Sequence, residues 1–234
     1  MAQASSDLAA ISAPQPANAI EAIRRELATD RAAYAFRVAA RQEELRVYEL
    51  AGYASVENAV VPLLPTTMQG PIKNAIAGLH SLYILGGIDQ YYLVNVHFIH
   101  IYTDTEALSA LQSYYNEAAQ RYGIDPSYLA SINYIESNFG RVKDTSSAGA
   151  QGPMQFLPST WTEYGQGGNI HDPHDSILAA ARYLVKNGAP YNMRNAIFQY
   201  NHDFDYVDSV ESFARAYRSN QGWLDRMYYW NTYG

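Results

Sequence analysis

The second half of the chain carries apolar residues at helical spacing, and one acidic residue interrupts that pattern. Asp125-Pro126 joins a favourable N-cap to a proline suited to the first helical position, so a helix is predicted to begin there. Intervals of three, four and three residues place four of its side chains on one face: Leu129, Ile132, Glu136 and Phe139. This face is apolar except at Glu136.

Similar periodicity predicts that the rest of this half is almost entirely helical. One helix ends at Tyr122, before Gly123, and has Asp104 or Thr105 as its N-cap. Asp175 is the predicted N-cap of another helix, at about 176–187. Further helices are predicted at about 158–164, 192–200 and 206–219.

The first hundred residues have weaker signals. Residues 1–18 are rich in Ala, Ser, Pro and Gln and are interpreted as a mobile arm. Helices are predicted over about 19–50 and 71–84, with Pro71 in the first turn of the second. Residues 91–101 combine β-branched and aromatic side chains, a pattern that fits either a strand or a buried helix.

Composition narrows the class of protein. The 234 residues are 48% hydrophobic and 17% charged, as in an ordinary globular protein. A net charge of -7 without a Lys/Arg cluster argues against a nucleic-acid partner. The lack of cysteine excludes disulfides and thiolate metal sites. No run of about 18 apolar residues occurs, so no transmembrane helix is predicted. No intact signal peptide is recognised.

The apolar surroundings of Glu136 change its predicted chemistry. Loss of hydration destabilises the charged carboxylate, so the pKa of Glu136 is expected to lie above that of a glutamate in water. A carboxylic acid that keeps its proton near neutral pH can act as a general acid. For a single glutamate, the alternative is a side chain that merely extends to solvent, and the downstream sequence argues against that alternative.

Three sequence blocks carry a resemblance to a known family. They are residues 136–139 (ESNF), residues 148–156 (AGAQGPMQF) and Tyr200-Asn201. In this order and at these separations they resemble the signature blocks of the soluble lytic transglycosylase domain, which has a lysozyme-like fold and is related to goose-type lysozymes. The resemblance covers about residues 105–220 and implies a mainly α, lysozyme-like catalytic domain.

The same resemblance implies a reaction and a site. The substrate would be peptidoglycan glycan strands, cleaved at the β-1,4 bond between N-acetylmuramic acid and N-acetylglucosamine. Glu136 would be the catalytic residue, acting first as acid and then as base, and the substrate's own 6-hydroxyl would close a 1,6-anhydro end. Neither a cofactor nor a metal is implied. The residues expected to bind substrate or support Glu136 are Ser137, Gly152, Met154, Gln155, Tyr200 and Asn201.

Several of these residues have a specific expected role. Position 152 is expected to require glycine, either because another part of the backbone approaches it closely or because its φ is positive. Met154 would pack in the core by default, but the family's motif places it in the sugar groove. Gln155 offers an amide that can both donate to and accept from an N-acetyl group. The resemblance implies that the hydroxyl of Tyr200 binds the catalytic carboxylate, and Ser137 is a candidate for orienting Glu136.

A lysozyme-type hydrolase is the alternative, because most glycosidases use a second carboxylate. Each downstream aspartate has a structural interpretation as a loop, cap or turn residue. The candidates are Asp144, Asp172, Asp175, Asp203 and Asp205.

A metal site built on histidine is not expected. His171 and His174 are separated by a proline, which breaks helical facing. His97 and His100 have no third ligand nearby in the sequence.

These patterns divide the chain into a mobile N-terminal arm (1–18), a helical N-terminal region of unknown role (19–101), a catalytic domain (102–220) and a C-terminal tail (221–234). The N-terminal region is interpreted either as a helical brace for the enzyme's core or as a docking module for protein partners in a phage particle or an envelope-spanning assembly. An inactive wall-binding protein is a third, less favoured interpretation. The expected location is the cell envelope, periplasmic or extracellular, or the virion.

Overall fold

The computed structural model of the protein describes residues 16–87, 105–220 and 222–230. Most of the predicted arm, the 91–101 segment with its two histidines and the candidate cap Asp104 lie outside these residues.

The described residues confirm the predicted mainly α fold. A 3-10 helix, Val61–Leu63, lies between the second and third α-helices. Numbered here in chain order, the α-helices are α1 Pro16–Gly52, α2 Ala54–Val60, α3 Thr66–Leu85, α4 Leu108–Tyr122, α5 Pro126–Ser137, α6 Pro158–Tyr164, α7 Pro173–Lys186, α8 Met193–Tyr200, α9 Phe204–Ser219 and α10 Gly222–Tyr228. Among these helices, none combines the length and apolar character that crossing a membrane requires.

Two predicted helix starts are wrong. Helix α3 begins at Thr66, so Pro71 lies inside it and removes one main-chain hydrogen bond from the helix. Helix α4 begins at Leu108. Thr105 does not cap it, because the threonine hydroxyl donates to the carbonyl of Phe139.

The predicted cap of α7 is also wrong. The carboxylate of Asp172 caps this helix by accepting from the backbone N–H of Asp175, and Pro173 is the first helical residue. This arrangement repeats the order of aspartate and proline at the start of α5, where Asp125 caps as predicted. A proline after an aspartate is therefore the more reliable start signal in this chain.

Two compact units make up the chain, Met1–Ala40 and Arg41–Gly234. In the second unit, α5 is buried along most of its length and packs against α4, α7 and α9. The ring of Tyr134 on α5 contacts those of Phe139 and Phe213. The helix that carries Glu136 is thus at the centre of this unit.

Helices α3 and α9 cross at close range. The hydroxyl of Ser209 donates to the backbone carbonyl of Gly78 over 2.9 Å. A Cβ atom at position 78 would lie 2.8 Å from Cε2 of Phe213, whose ring is fully buried. The close approach therefore depends on glycine at this position.

The segment predicted as a C-terminal tail includes helix α10. Trp223 on this helix is fully buried, and its ring meets that of Trp230 edge-on at 6.0 Å. Arg226 forms an ion pair of 2.8 Å with Glu43 near the end of α1.

Replacing Gly78 by valine is expected to destabilise the second unit. The added methyl groups would overlap the ring of Phe213, and overpacking of this kind costs about 1–3 kcal/mol. The matched control is Gly70→Ala on the same helix, where no atom lies within 4 Å of the new Cβ. This control should stabilise the protein by about 0.5–1 kcal/mol. Urea unfolding of both variants measures the difference, and equal stability of the two would contradict the described crossing of α3 and α9.

Candidate active site

Glu136 lies in the last turn of α5, immediately before an abrupt change of chain direction. The helix ends at Ser137, and the next three residues have positive φ, 49° at Asn138, 60° at Phe139 and 80° at Gly140. Left-handed backbone of this kind ends a helix. The Glu136 side chain is thereby placed at the edge of the core, with part of its surface exposed.

The surroundings of Glu136 favour its protonated form. Burial raises its pKa from the ordinary 4.5 to about 7, while a hydrogen bond from Tyr206 acts in the opposite direction and lowers it. The direction agrees with the one predicted from the apolar helix face. At neutral pH the carboxyl is therefore present in both protonated and ionised forms, as an acid–base catalyst requires.

The hydroxyl that donates to Glu136 belongs to Tyr206, so the role expected for Tyr200 is wrong. The Tyr206 hydroxyl lies 2.5 Å from Oε1 of Glu136. The Tyr200 hydroxyl instead donates to the backbone carbonyl of Met154 over 2.7 Å. The two tyrosine rings are nearly parallel, with centroids 6.4 Å apart.

Sequence reasoning overlooked Tyr206 although a signal was present. Tyr206, Val207 and Val210 are buried residues of α9. A tyrosine among buried apolar residues needs a partner for its hydroxyl. Its partner lies 70 residues away in the sequence, so only the packing of α9 on α5 identifies it. Burial and the negative charge of Glu136 raise the pKa of Tyr206, which keeps this hydroxyl a donor.

The glycine-rich loop that follows α5 is held tightly. The residues Gln151 and Phe156 form an isolated antiparallel bridge with two main-chain hydrogen bonds of 2.9 Å. Gly152 has a φ of 75°, and a Cβ at this position would lie 1.9 Å from the carbonyl oxygen of Ile170. Both reasons expected for a glycine therefore apply at this position.

The other predicted residues of this region differ in exposure. The Met154 side chain is fully buried, so it belongs to the core. Gln155 has a φ of 47°, and its side-chain nitrogen donates to the carbonyl of Gly152 over 3.1 Å. Asn201 is the C-cap residue of α8 and has an exposed side chain.

Ser137 acts on the loop and not directly on Glu136. Its buried hydroxyl donates to the carbonyl of Pro153 over 2.5 Å and accepts from the N–H of Gly140 over 2.8 Å. Ser137 thus joins the end of α5 to the loop that contains Gln155.

Three of the downstream aspartates accept hydrogen bonds from backbone N–H groups. Asp172 and Asp203 cap helices α7 and α9, and Asp175 accepts from the N–H of Asn169 over 2.8 Å. Asp144 has an exposed side chain in the loop before residue 148.

One group of possible metal ligands is present in the described residues. Oxygen or nitrogen atoms of Asp172, His174 and Asp175 lie within 4.8 Å of one another. These side chains already have partners, since the two aspartates bind backbone N–H groups and Nε2 of His174 lies 2.7 Å from Oε2 of Glu117. His171 is not part of this group. We assign no metal to the group.

Comparison with known proteins identifies the family of this region. Residues 113–220 match the model of the Transglycosylase SLT domain, and they form a domain of that family. The chain is also similar to a protein named Transglycosylase from Enterobacteria phage PRD1, with 33% identity over 85 residues. The aligned region is 36% of this chain and 31% of the relative, so the chain spans about a third of the length of that relative. No solved structure matches. The predicted family and lysozyme-like fold class are confirmed.

Replacing Tyr206 by phenylalanine is expected to shift the pH dependence of glycan cleavage. Without the hydroxyl, the pKa of Glu136 rises above about 7, because the hydrogen bond that lowers it is lost. If Glu136 supplies the proton for cleavage, the rate declines as pH rises through this pKa, so the decline should move to higher pH. Rates measured between pH 5 and 9 test this shift. Tyr200→Phe is the control, since it keeps the Tyr206 hydroxyl and should keep the midpoint. A shift in Tyr200→Phe without one in Tyr206→Phe would refute the assignment.

Proposed function

We propose that the SLT domain of this chain cleaves peptidoglycan glycan strands as a lytic transglycosylase, with Glu136 as the single catalytic acid and base. The bond cleaved is the β-1,4 linkage between N-acetylmuramic acid and N-acetylglucosamine, and the product carries a 1,6-anhydro end. The observation that carries this proposal is the position of Glu136, with its pKa near 7 and its carboxylate bound by Tyr206.

The proposed reaction has two proton transfers through one carboxyl group. Protonated Glu136 first gives its proton to the glycosidic oxygen, and the bond from that oxygen to the anomeric carbon breaks with oxocarbenium character. The N-acetylglucosamine leaves with a free 4-hydroxyl. The ionised Glu136 then takes the proton from the 6-hydroxyl of the muramic acid, whose oxygen bonds to the anomeric carbon. Glu136 ends protonated, ready for the next cycle, and no water is consumed.

The contacts of the aspartates support this mechanism over hydrolysis. A hydrolase needs a second carboxylate about 5–9.5 Å from the first, aimed at the anomeric carbon or at a water. Asp172, Asp175 and Asp203 instead accept hydrogen bonds from backbone N–H groups. A lysozyme-type muramidase remains the second candidate function, and its most accessible carboxylate would be Asp144, which is exposed.

We further propose a division of work in the N-terminal region. Helix α3 acts as a brace, which its crossing with α9 supports. Residues 19–40, which belong to the other unit of the chain, are proposed to dock on protein partners of a phage particle or an envelope assembly. The similarity to a phage protein named Transglycosylase supports a virion or envelope location.

Mass spectrometry of the muropeptides released from purified sacculi tests the proposed function. The wild-type protein should generate 1,6-anhydro ends, and Glu136→Gln should lower the rate by a factor of about 10²–10⁴. Asp144→Asn removes the same charge at an exposed position and should keep both rate and product. Reducing ends as the main product of the wild-type digest would show a hydrolase. Full activity of Glu136→Gln would remove this residue from the mechanism.

A further inference from the structure

A line of buried hydrogen bonds connects helix α4 to the glycine-rich loop through helix α5. The hydroxyl of Tyr115 on α4 donates to Oδ1 of Asn133 over 2.5 Å. Nδ2 of Asn133 donates to the carbonyl oxygen of Pro153 over 2.8 Å, and the Ser137 hydroxyl reaches the same oxygen. Tyr115, Asn133 and Ser137 are each buried to 99% or more.

The chemistry of these groups fixes their orientation. The carbonyl of Pro153 can only accept, so the side chain of Asn133 must turn its amide nitrogen toward it. The amide oxygen then faces Tyr115, which must donate. Because a buried amide is unfavourable unless both ends are satisfied, the asparagine has one favoured orientation in this core.

Two successive carbonyls of the loop are held in this way by different helices. Asn133 and Ser137 on α5 hold that of Pro153, and Tyr200 at the end of α8 holds that of Met154. Gln155, with its left-handed backbone, follows directly. The position of the loop relative to α5 is therefore set by side chains whose amide and hydroxyl groups bind the carbonyls of the loop.

Asn133 is three residues before Glu136 on the same helix, so it links the loop and the acid within one helical turn. We propose that Asn133, held by Tyr115, is a positioning residue that fixes the loop of residues 149–156 against Glu136 and thereby favours closure by the substrate's own hydroxyl over attack by water. This inference rests on the proposed function and deepens it.

The proposed effect on the product follows from the geometry of the reaction. Intramolecular closure requires the 6-hydroxyl and the anomeric carbon to be about 3–3.5 Å apart in one sugar ring, and a displacement of about 1 Å can cost 100-fold in rate. Water can approach from several directions and tolerates a displaced ring better. A loosened loop should therefore raise the share of hydrolysed ends.

The ratio of reducing ends to 1,6-anhydro ends separates positioning from a loss of folding. This ratio does not depend on the amount of folded protein, so a merely structural role leaves it unchanged. The test variants in the full chain are Asn133→Leu and Tyr115→Phe. The control is Ser131→Ala on the same helix, which loses a buried hydrogen bond to Ser127 and keeps the hydrogen bonds of Asn133 and Ser137 with the loop.

When sacculi are digested below the unfolding temperature of each variant, the ratio of reducing to 1,6-anhydro ends should differ between the variants. Asn133→Leu should raise the ratio at least about tenfold and lower kcat by about 10–100-fold. Tyr115→Phe should shift the ratio in the same direction by less. The double variant should match Asn133→Leu, because both residues act through one hydrogen-bonded line. Ser131→Ala should keep the wild-type ratio. An unchanged ratio in Asn133→Leu would overturn the proposal that Asn133 determines which product forms.

A second measurement tests the positioning apart from the reaction type. In the inactive Glu136→Gln background, Asn133→Leu should weaken the binding of soluble glycan chains about tenfold, and Ser131→Ala should not. Equal affinity in all three proteins would overturn the positioning role. Reducing ends as the main product of the wild-type enzyme would refute the proposed transglycosylase, while this binding measurement would still decide the role of Asn133.

Discussion

The hydrogen bond from Tyr206 to Glu136 opposes the effect of burial, and the chemistry of the site depends on the balance between them. Burial alone can raise the pKa of a carboxyl by as much as about 3–5 units. The Tyr206 hydroxyl stabilises the ionised form, and the resulting pKa is about 7. A single residue that gives a proton in one step and takes one back in the next needs a pKa near the working pH.

The position of Tyr206 in turn depends on packing beyond the matched domain. Tyr206 belongs to α9, which packs on α5 from one side and along α3 from another. The family match begins at residue 113, whereas α3 ends at Leu85. The close crossing at Gly78 therefore connects a helix outside the matched region to the hydroxyl that donates to Glu136.

Features that depend on neighbouring residues could be predicted from the sequence. The start of α5 follows from Asp125-Pro126, and the raised pKa of Glu136 follows from the apolar face on which it lies. The need for glycine at position 152 was likewise expected from its motif. These features are local, because capping, helix periodicity and φ preference act over a few residues.

Features that depend on tertiary packing could not be predicted in the same way. The choice between Tyr200 and Tyr206 as donor to Glu136 depends on how α8 and α9 meet α5. Asn133 lies three residues before Glu136, yet its partners come from α4 and from a loop 20 residues downstream. Sequence spacing does not report such contacts, since several partners would satisfy the same buried group.

A site-resolved NMR titration of the Glu136 side-chain carboxyl measures the central quantity directly. With ¹³C-labelled glutamate and Glu136→Gln to assign the signal, the chemical shift can be followed from pH 3 to 9. A midpoint near 7 is expected, because burial outweighs the hydrogen bond from Tyr206. A midpoint near the ordinary 4.5 would contradict a protonated acid at neutral pH and, with it, the proposed role of Glu136.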